Sequence, residues 1–465
     1  MVELWRESAL ALAQLIRRGD VSSREVVEAH LARIDDVNAT VNAIVEVRPE
    51  SALADADRAD EALRNGAALG PLHGVPFTTK TNINVAGFAS TQGSFALAGL
   101  VASDDSPLVE KMRRAGAVML ARTNMPDLGL RLNTESSLYG STHNPWRHGY
   151  TAGGSSGGEA AALATGMTPI GFGNDVGGSL RNPAFCCGIA SIKPSRGRVA
   201  AQDDSAIFEH GIADQLMLSD GVMARHVADL RRGLEIVMGA HRADPQSIDV
   251  PLHGPPVSKR VALVPEPPGG ETDPEIAAGV RRAGRALEEA GYEVDEVEPP
   301  RLLEIYLGWT ELMAMNFASS TVPFEAVLGA DALRFLELAT ANFATASTLQ
   351  SVSLMHEARF ASARAWREFF QTYPVIVGPT WSLPPFALGF DIQDEESTLR
   401  VFETARFVLP ASLLGLPAAC VPVGLANELP TGVQVIADLL RDDLCLNVAE
   451  AIEASVGVLA PIDPR

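Results

Sequence analysis

The chain has 465 residues, 46% of them hydrophobic, so it can bury a large core and does not have the composition of a disordered sequence. Its formal net charge is −21 at pH 7, and we find no block of Lys and Arg within it. A surface this acidic repels phosphate backbones and anionic membranes, which argues against nucleic-acid and membrane partners. No segment approaches the roughly 18 uncharged apolar residues of a membrane-spanning helix.

The four cysteines are Cys186, Cys187, Cys420 and Cys445. Two of them are adjacent, which suits neither a disulfide framework nor the spacing of metal ligands. The first twenty residues mix charges into their apolar positions, unlike a signal peptide. We therefore expect a protein of the reducing cytoplasm.

The N-terminal part predicts helices, and Ser22 with Glu25 predicts a capping box ahead of VVEAHLARI. From about residue 70 the pattern changes to short buried strands with glycine turns, in GVPFTTKTNINVAG and GAVMLARTN. GEAAALATGM then predicts a helix and TPIGFGND a strand. This alternation predicts an α/β sheet.

Residues 239–260 are rich in turn formers and predict a surface linker. A strand, a helix and a strand follow, and residues 303–373 predict mostly helix with 11 of the chain's 27 aromatic residues, Trp309 and Phe317 among them. The tail returns to strands in YPVIVGPT, AACVPVGL and TGVQVIAD, before a closing helix. We expect the tail to complete the same sheet, giving one domain over residues 1–465 with a core region at about 70–240.

Two glycine-rich segments offer a serine nucleophile. Gly153, Ser155 and Gly157 match G-x-S-x-G, but the nucleophile elbow of α/β-hydrolases needs a buried strand directly before it, and NPWRHGYTA is polar and turn-like. GGSSGGE also lacks the Lys-Ser/Thr of a phosphate-binding loop. On composition alone, a surface loop is an equally good interpretation of this run.

The second segment has the better context for a nucleophile. The apolar run in TPIGFGND leads into a sharp turn at Val176-Gly177-Gly178-Ser179. Glycines let successive backbone N–H groups converge on one point, as a tetrahedral oxyanion requires. Ser179 would thus lie beside an oxyanion hole.

A serine nucleophile also needs a base. The nine histidines are scattered, and the lysines are only four: Lys80, Lys111, Lys193 and Lys259. Lys80 is the only charged residue of VPFTTKTNINVAG. Desolvation in an apolar strand lowers a lysine pKa from about 10.4 toward neutrality, and a neutral amine can accept a proton. A lysine that extends its ammonium group to solvent from the strand end is the competing interpretation.

At this point the sequence resembles a known family, the amidase signature family, over most of its length. The densest similarity is GGSSGGEAAALATGMTPIGFGNDVGGSLRNPAFCCGIASIKPSRGRV, residues 153–199. PLHGVPFTTKTNI is similar to the family's lysine segment. ARTNMPDLG, YGSTHNPW and GLPAACVPVGL…LPTGVQVI are similar to further family segments in the same order.

The resemblance implies a Ser-Ser-Lys triad. Ser179 would be the nucleophile, Ser155 the bridging serine and Lys80 the base. The family's oxyanion hole maps onto the backbone N–H groups of Val176, Gly177, Gly178 and Ser179.

The resemblance also implies supporting roles. Asp175 and Arg181 match positions that hold the loop, and Met125, in the family-like TNMP segment, is a candidate substrate contact. Asn174 departs from the family's usual threonine, and we expect it to alter loop support without abolishing activity. We expect Lys193 to be structural.

The fold expected from the resemblance is α/β, with a large twisted mixed sheet, helices on both faces and a helical subregion over the active site. The expected activity is hydrolysis of a hydrophobic or aryl acyl amide, with a carbamate as a further option, through an acyl-enzyme. We expect the partners to be a small-molecule amide and water, with no nucleic acid, membrane, metal or organic cofactor, and a homodimer stays open.

Three alternative functions also stay open. The first is an A-type component of an amidotransferase that works with partner chains. The second is an α/β-hydrolase-like esterase using Ser155 and a histidine. The third is a catalytically inactive binding protein.

Overall fold

The centre of the fold is a mixed β-sheet. The computed structural model describes residues 3–201, 210–343 and 348–465. Within these ranges the fifteen strands are β1 (Ile44–Val47), β2 (Pro76–Lys80), β3 (Val118–Thr123), β4 (Glu135–Ser136), β5 (Gly140–Ser141), β6 (His143–Asn144), β7 (Arg147–Thr151), β8 (Ile170–Asp175), β9 (Ala190–Lys193), β10 (Ser219–Ala224), β11 (Arg260–Leu263), β12 (Glu293–Glu296), β13 (Val375–Pro379), β14 (Ala418–Ala426) and β15 (Leu429–Ala437). Eleven of them form the main sheet in the order β1-β3-β2-β8-β10-β9-β14-β15-β13-β11-β12.

Helices occupy much of the remaining chain. In the described ranges they are α1 (Ala9–Arg18), α2 (Ser23–Val41), α3 (Pro49–Arg64), α4 (Pro107–Arg114), α5 (Gly157–Ala164), α6 (Arg181–Cys187), α7 (Ile212–Met217), α8 (Val227–Val237), α9 (Pro274–Glu289), α10 (Leu302–Ala318), α11 (Phe324–Val327), α12 (Ala330–Phe343), α13 (Leu349–Phe369), α14 (Glu395–Thr404), α15 (Leu409–Leu413) and α16 (Asp442–Val456). The predicted capping box is confirmed, because Ser22 and Glu25 exchange both of its hydrogen bonds at the start of α2. The prediction that residues 303–373 are mostly helix is confirmed by α10 to α13 in the described part of that stretch.

Apolar residues fill both faces of the main sheet. One core cluster contains Leu120 of β3 together with Leu163 of α5 and Phe185 of α6. The other contains Phe77 of β2, and its helices include α1, α4, α8, α9 and α16. Alternate side chains of a strand point to opposite faces, so one strand can contribute to both clusters. The predicted α/β architecture, with helices on both faces of a large mixed sheet, is confirmed.

The C-terminal strands are integral to this sheet. β14 pairs with β9 on one side and with β15 on the other, while β13 pairs with β15 and with β11. The expectation that the tail completes the sheet is therefore confirmed. Residues 255–259 of the predicted linker are exposed.

All four cysteines are free and buried. Among the described helices, none is both long and apolar enough to cross a membrane.

Candidate active site

Two parallel strands bring Lys80 and Asn174 together. β2 and β8 are neighbours in the sheet, with Thr78 beside Gly171 and Thr79 beside Phe172. Lys80 ends β2 and Asn174 is the next-to-last residue of β8, so both side chains leave the same edge of the sheet. The Lys80 Nζ donates to Asn174 Oδ1 at 2.8 Å.

The glycine-serine run before α5 is part of the interior. Every residue from 151 to 158 is buried, so the surface-loop interpretation is wrong. A Cβ atom on Gly154 would lie 2.4 Å from the carbonyl oxygen of Arg131, which leaves room only for glycine. The strand before Ser155 is β7, which pairs with β6 outside the main sheet, so the α/β-hydrolase elbow is absent here.

Lys80 and Ser155 are in direct contact. The Lys80 Nζ lies 2.6 Å from Ser155 Oγ, and both side chains are buried. Burial lowers the pKa of Lys80 to about 7, against the attraction of the Asp175, Asp220 and Glu159 carboxylates, which raises it. At neutral pH a large fraction of this amine is therefore uncharged and able to accept a proton. The competing interpretation of a lysine that reaches solvent is wrong.

Ser179 lies in the loop between β8 and α6 and lines the same cavity as Ser155. The two segments are joined by a backbone hydrogen bond, in which the Ser156 N–H donates to the Ser179 carbonyl at 3.2 Å. Within the part of the chain that the structure describes, the Ser179 hydroxyl makes no hydrogen bond to Ser155. The structure thus forms the lysine–serine contact and places Ser179 in the same cavity, without the contact between the serines.

The predicted oxyanion loop is held from beneath by Asp175. The Gly178 N–H donates to Asp175 Oδ1 at 2.7 Å, and the Leu180 N–H donates to Oδ2 at 3.2 Å. The Gly178 N–H is therefore occupied inside the loop and differs from the prediction that it faces the substrate. Among the described residues, the N–H groups of Gly177 and Ser179 have no hydrogen-bond partner, and both residues line the cavity.

Arg181 anchors Asp175 to the C-terminal half of the chain. Its guanidinium donates to both Asp175 oxygens, at 3.0 and 2.9 Å. It also donates to the Val408 carbonyl, Gln434 and Ser412. Burial alone would raise the pKa of Asp175, but the Arg181 charge holds that pKa below its ordinary value. Asp175 and Arg181 thus have the contacts expected of residues that hold the loop.

The cavity above the two serines has a volume of about 570 Å³. One wall is apolar and is built from Leu130, Val176, Trp309, Met313, Phe317 and Phe402. Three of these residues belong to α10, so the aromatic-rich helices do cover the cavity. Such a volume accommodates a small organic molecule.

Met125 occupies a different place from the one expected of a substrate contact. Its side chain is fully buried and is not part of the described cavity lining. Its Cε lies 3.5 Å from where a Cβ atom on Gly129 would stand, and Gly129 itself lines the cavity. Met125 therefore packs behind the wall, and a role in substrate contact stays a prediction.

Comparison with known proteins gives a consistent assignment. A family model described as "Amidase" matches residues 25–446. The protein belongs to the amidase signature family. It is 39% identical to an indoleacetamide hydrolase of Bradyrhizobium diazoefficiens, over 98% of this chain and 88% of that protein. It is 32% identical to the A-type component of a glutamyl-tRNA(Gln) amidotransferase of Synechococcus sp., over 96% of both chains.

The fold comparison agrees with the family. The crystal structure of a bacterial aryl acylamidase superposes with a TM-score of 0.83 at 25% identity, covering 97% of this chain and 96% of that one. Together with the family match, these relatives support amide hydrolysis as the reaction class of this amidase signature protein.

A second buried lysine shows that pKa alone does not identify the base in this amidase signature protein. Burial also lowers the pKa of Lys193 to about 7. Its Nζ, however, donates to the backbone carbonyls of Leu416 and Pro194, at 2.9 and 3.1 Å, and contacts no serine hydroxyl in the described structure. The contact with Ser155 is what distinguishes Lys80.

Sequence reasoning missed the roles of two side chains of this site. The sequence predicts loop support for Asn174, whereas the structure shows that it bonds Lys80 directly. Glu159 is buried beneath the site and accepts hydrogen bonds from Thr78 and Thr123, while burial raises its pKa to about 8. A signal for Asn174 exists in the sequence, because β2 and β8 both end in polar residues and are expected in one sheet.

Proposed function

We propose that this protein is an amidase that cleaves a carboxylic amide C–N bond through Lys80, Ser155 and Ser179. The observation that carries the proposal is the 2.6 Å contact between Lys80 Nζ and Ser155 Oγ in a site that lowers the lysine pKa to about 7. A neutral amine beside a hydroxyl is a base ready to draw a proton through it. Ser179 opens onto the same cavity and is the group that such a relay activates.

The reaction proceeds in two halves. Lys80 takes the proton of Ser155, and Ser155 takes the proton of Ser179, whose Oγ forms a bond to the amide carbonyl carbon. As the tetrahedral intermediate collapses, the C–N bond breaks and the relay returns a proton to the departing nitrogen. Water then attacks the acyl-Ser179 ester, loses its proton to the relay, and releases the carboxylic acid while Ser179 recovers its hydrogen.

Two further features support this assignment of roles. Gly177 and Ser179 line the cavity, where their N–H groups would stabilise the negative oxygen of the tetrahedral intermediate. The backbone hydrogen bond from the Ser156 N–H to the Ser179 carbonyl keeps the segments of the two serines next to each other, as a relay between them would require.

The acyl group is proposed to be apolar and aromatic. The wall formed by Trp309, Met313, Phe317 and Phe402 offers an aromatic ring a large contact area. The relatives named indoleacetamide hydrolase and aryl acylamidase are consistent with such a group. We therefore propose arylacetamides and anilides as the first substrates to test, with aryl carbamates beside them.

The alternatives differ in measurable ways. Similarity to the amidotransferase relatives favours one of them, and glutaminase activity that appears only with a second protein chain would identify it. An esterase using Ser155 and a histidine disagrees with the contact that Ser155 makes to Lys80. An inactive binding protein would not be labelled at Ser179 by a fluorophosphonate probe.

The test is mass spectrometry of the protein after exposure to arylacetamides, short aliphatic amides and aryl carbamates. We expect an acyl adduct on Ser179, and its mass identifies the acyl group.

Replacing Lys80 by Ala should lower kcat by about 10²- to 10⁴-fold, since the relay loses its base. Lys111→Met removes a half-buried lysine whose Nζ bonds only backbone carbonyls, and it should retain wild-type kcat. An adduct on another residue, or near-normal turnover by Lys80→Ala at neutral pH, would overturn the proposal.

A further inference from the structure

Trp309 of α10 connects the helices over the cavity to the loop that carries Gly177 and Ser179. Its side chain is 8% exposed and lines the cavity. Its indole Nε1 donates to the carbonyl oxygen of Val176 at 3.1 Å. This hydrogen bond joins residues 133 positions apart in the sequence.

The bond constrains one peptide group of the loop. The carbonyl of Val176 and the N–H of Gly177 belong to the same planar unit, and this peptide is not among the cis bonds of the chain. In a trans peptide the C=O and N–H vectors point in opposite directions. Holding the Val176 oxygen against the indole therefore also fixes the direction of the Gly177 N–H, and Gly177 is one of the residues that line the cavity.

Close packing reinforces the hydrogen bond. A Cβ atom on Gly177 would lie 2.6 Å from Cζ2 of Trp309, so the ring lies directly against the glycine. Any larger residue at position 177 would push the ring and the peptide apart. On another side, Trp309 packs against Phe402, with ring centroids 6.4 Å apart. The indole is thus held in place while it holds the peptide.

We propose that Trp309 is a positioning residue that aims the Gly177 N–H at the developing oxyanion. The inference rests on the proposed amidase function and adds to it a dependence of rate on a residue of the covering helices. Trp309 has a second, separable role as part of the apolar wall, which affects how tightly an aromatic substrate binds. If the Gly177 N–H is no longer oriented, kcat falls for every amide. If the apolar contact with the indole is lost, KM rises for aromatic amides.

The test is Trp309→Phe, assayed with one aryl amide and one short aliphatic amide that the wild type hydrolyses. We expect kcat to fall about 10- to 100-fold for both substrates, below the roughly 10²- to 10³-fold loss seen when an oxyanion donor is deleted. The matched control is Trp366→Phe, which removes another buried indole Nε1 bond, to the Pro300 carbonyl at 2.8 Å, and lies outside the described cavity lining. It should retain wild-type kcat.

A second variant distinguishes the loss of positioning from a general loss of folded protein. Gly177→Ala should also lower kcat, because its Cβ presses on the indole, and in combination with Trp309→Phe the two losses should be less than multiplicative. Wild-type kcat in Trp309→Phe, an effect confined to KM of the aryl amide, or fully multiplicative losses would each overturn the positioning role. A wild-type protein that hydrolyses none of the amides would overturn the proposed function itself, and the positioning role with it.

Discussion

The proposed chemistry depends on one amine with two different neighbours. Lys80 Nζ donates to Asn174 Oδ1 at 2.8 Å and lies 2.6 Å from Ser155 Oγ. In the proposed mechanism, the neutral amine donates a hydrogen to Asn174 on one side and offers its lone pair to the Ser155 hydroxyl on the other. Asn174 is neutral, so it orients the amine without the strong increase in pKa that a carboxylate at the same distance would cause.

The pH dependence of kcat/KM should report the titration of Lys80. Its pKa is lowered to about 7 by burial, and only the neutral form accepts a proton. We therefore expect kcat/KM to increase with pH through a midpoint near 7, because Lys80 loses its proton over this range. The measurement is kcat/KM of the wild type for one amide across about two pH units on either side of that midpoint.

Asn174→Asp should move that midpoint upward. The substitution keeps an oxygen acceptor but adds a negative charge beside Nζ, which stabilises the ammonium form by about 1 to 3 pKa units. Activity at neutral pH should fall and be recovered in more alkaline buffer. Asn316→Asp adds a charge to the same cavity without a bond to Lys80 and serves as the control. Equal midpoints in wild type and Asn174→Asp would contradict this role of Asn174.

Between elements, a buried ion pair fastens the segment after β3 to the chain near α14. Arg131 is one of the residues that line the cavity, and its guanidinium donates to both oxygens of Asp391 at 2.8 and 2.9 Å. The two side chains are 1% and 0% exposed. Asp391 lies in the short 3-10 helix Phe390–Ile392. Glu135 also pairs with Arg131, at 3.0 Å, but is partly exposed. This contact holds one edge of the cavity.

Asp391→Asn should destabilise the protein strongly. Removing one partner of a buried pair leaves an uncompensated charge, which costs about 3 to 5 kcal/mol. Because Glu135 still pairs with Arg131, we expect a loss near the lower figure. Urea denaturation measures the change in the free energy of unfolding. Asp57→Asn breaks the exposed Arg24–Asp57 pair and should change the free energy of unfolding far less, because solvent screens this pair. Similar losses in the two variants would contradict the assignment.

Across the whole molecule, the chain passes from the first half of the sheet to the second through an exposed segment. β14 lies between β9 and β15, so residues from the tail complete the part of the sheet that the first half begins. At the site, Arg181 also joins the two halves, because it donates hydrogen bonds to Val408, Ser412 and Gln434 of the C-terminal half. The single-domain prediction therefore has a direct consequence for fragments of the chain.

A protease site inserted within residues 255–258 tests that prediction. These residues are exposed, so cleavage there should leave the two pieces associated and active, because the sheet holds them together. Residues 1–257 produced alone should not reach the native fold, since β9 loses its neighbour β14 and α6 loses its packing against β14 and β15. Gel filtration and circular dichroism measure both outcomes. A stable, folded fragment 1–257 would show that the chain contains more than one domain.

The sequence was sufficient for the α/β class and for many of its elements, and it selected the catalytic candidates, because these inferences depend on local pattern. The isolated charge of Lys80 in an apolar strand and the glycine turn before Ser179 are local signals. The contacts that refine the site join distant residues: Trp309 to Val176 spans 133 positions, and Arg131 to Asp391 spans 260. The use of the Gly178 N–H by Asp175 depends on how the loop folds back, which glycine content alone does not specify.

Helix α10 covers the cavity, whereas the proposed base Lys80 lies at a strand end beneath it. Substrate specificity can therefore be redesigned through α10 without changing Lys80. Met313 and Phe317 line the cavity from α10 and are not among the proposed reacting residues, so libraries randomised there would sample new acyl shapes while Lys80, Ser155 and Ser179 stay unchanged. Trp309 is the exception on the same helix. A new specificity engineered through this helix has to preserve an indole, or another N–H donor, at that one point.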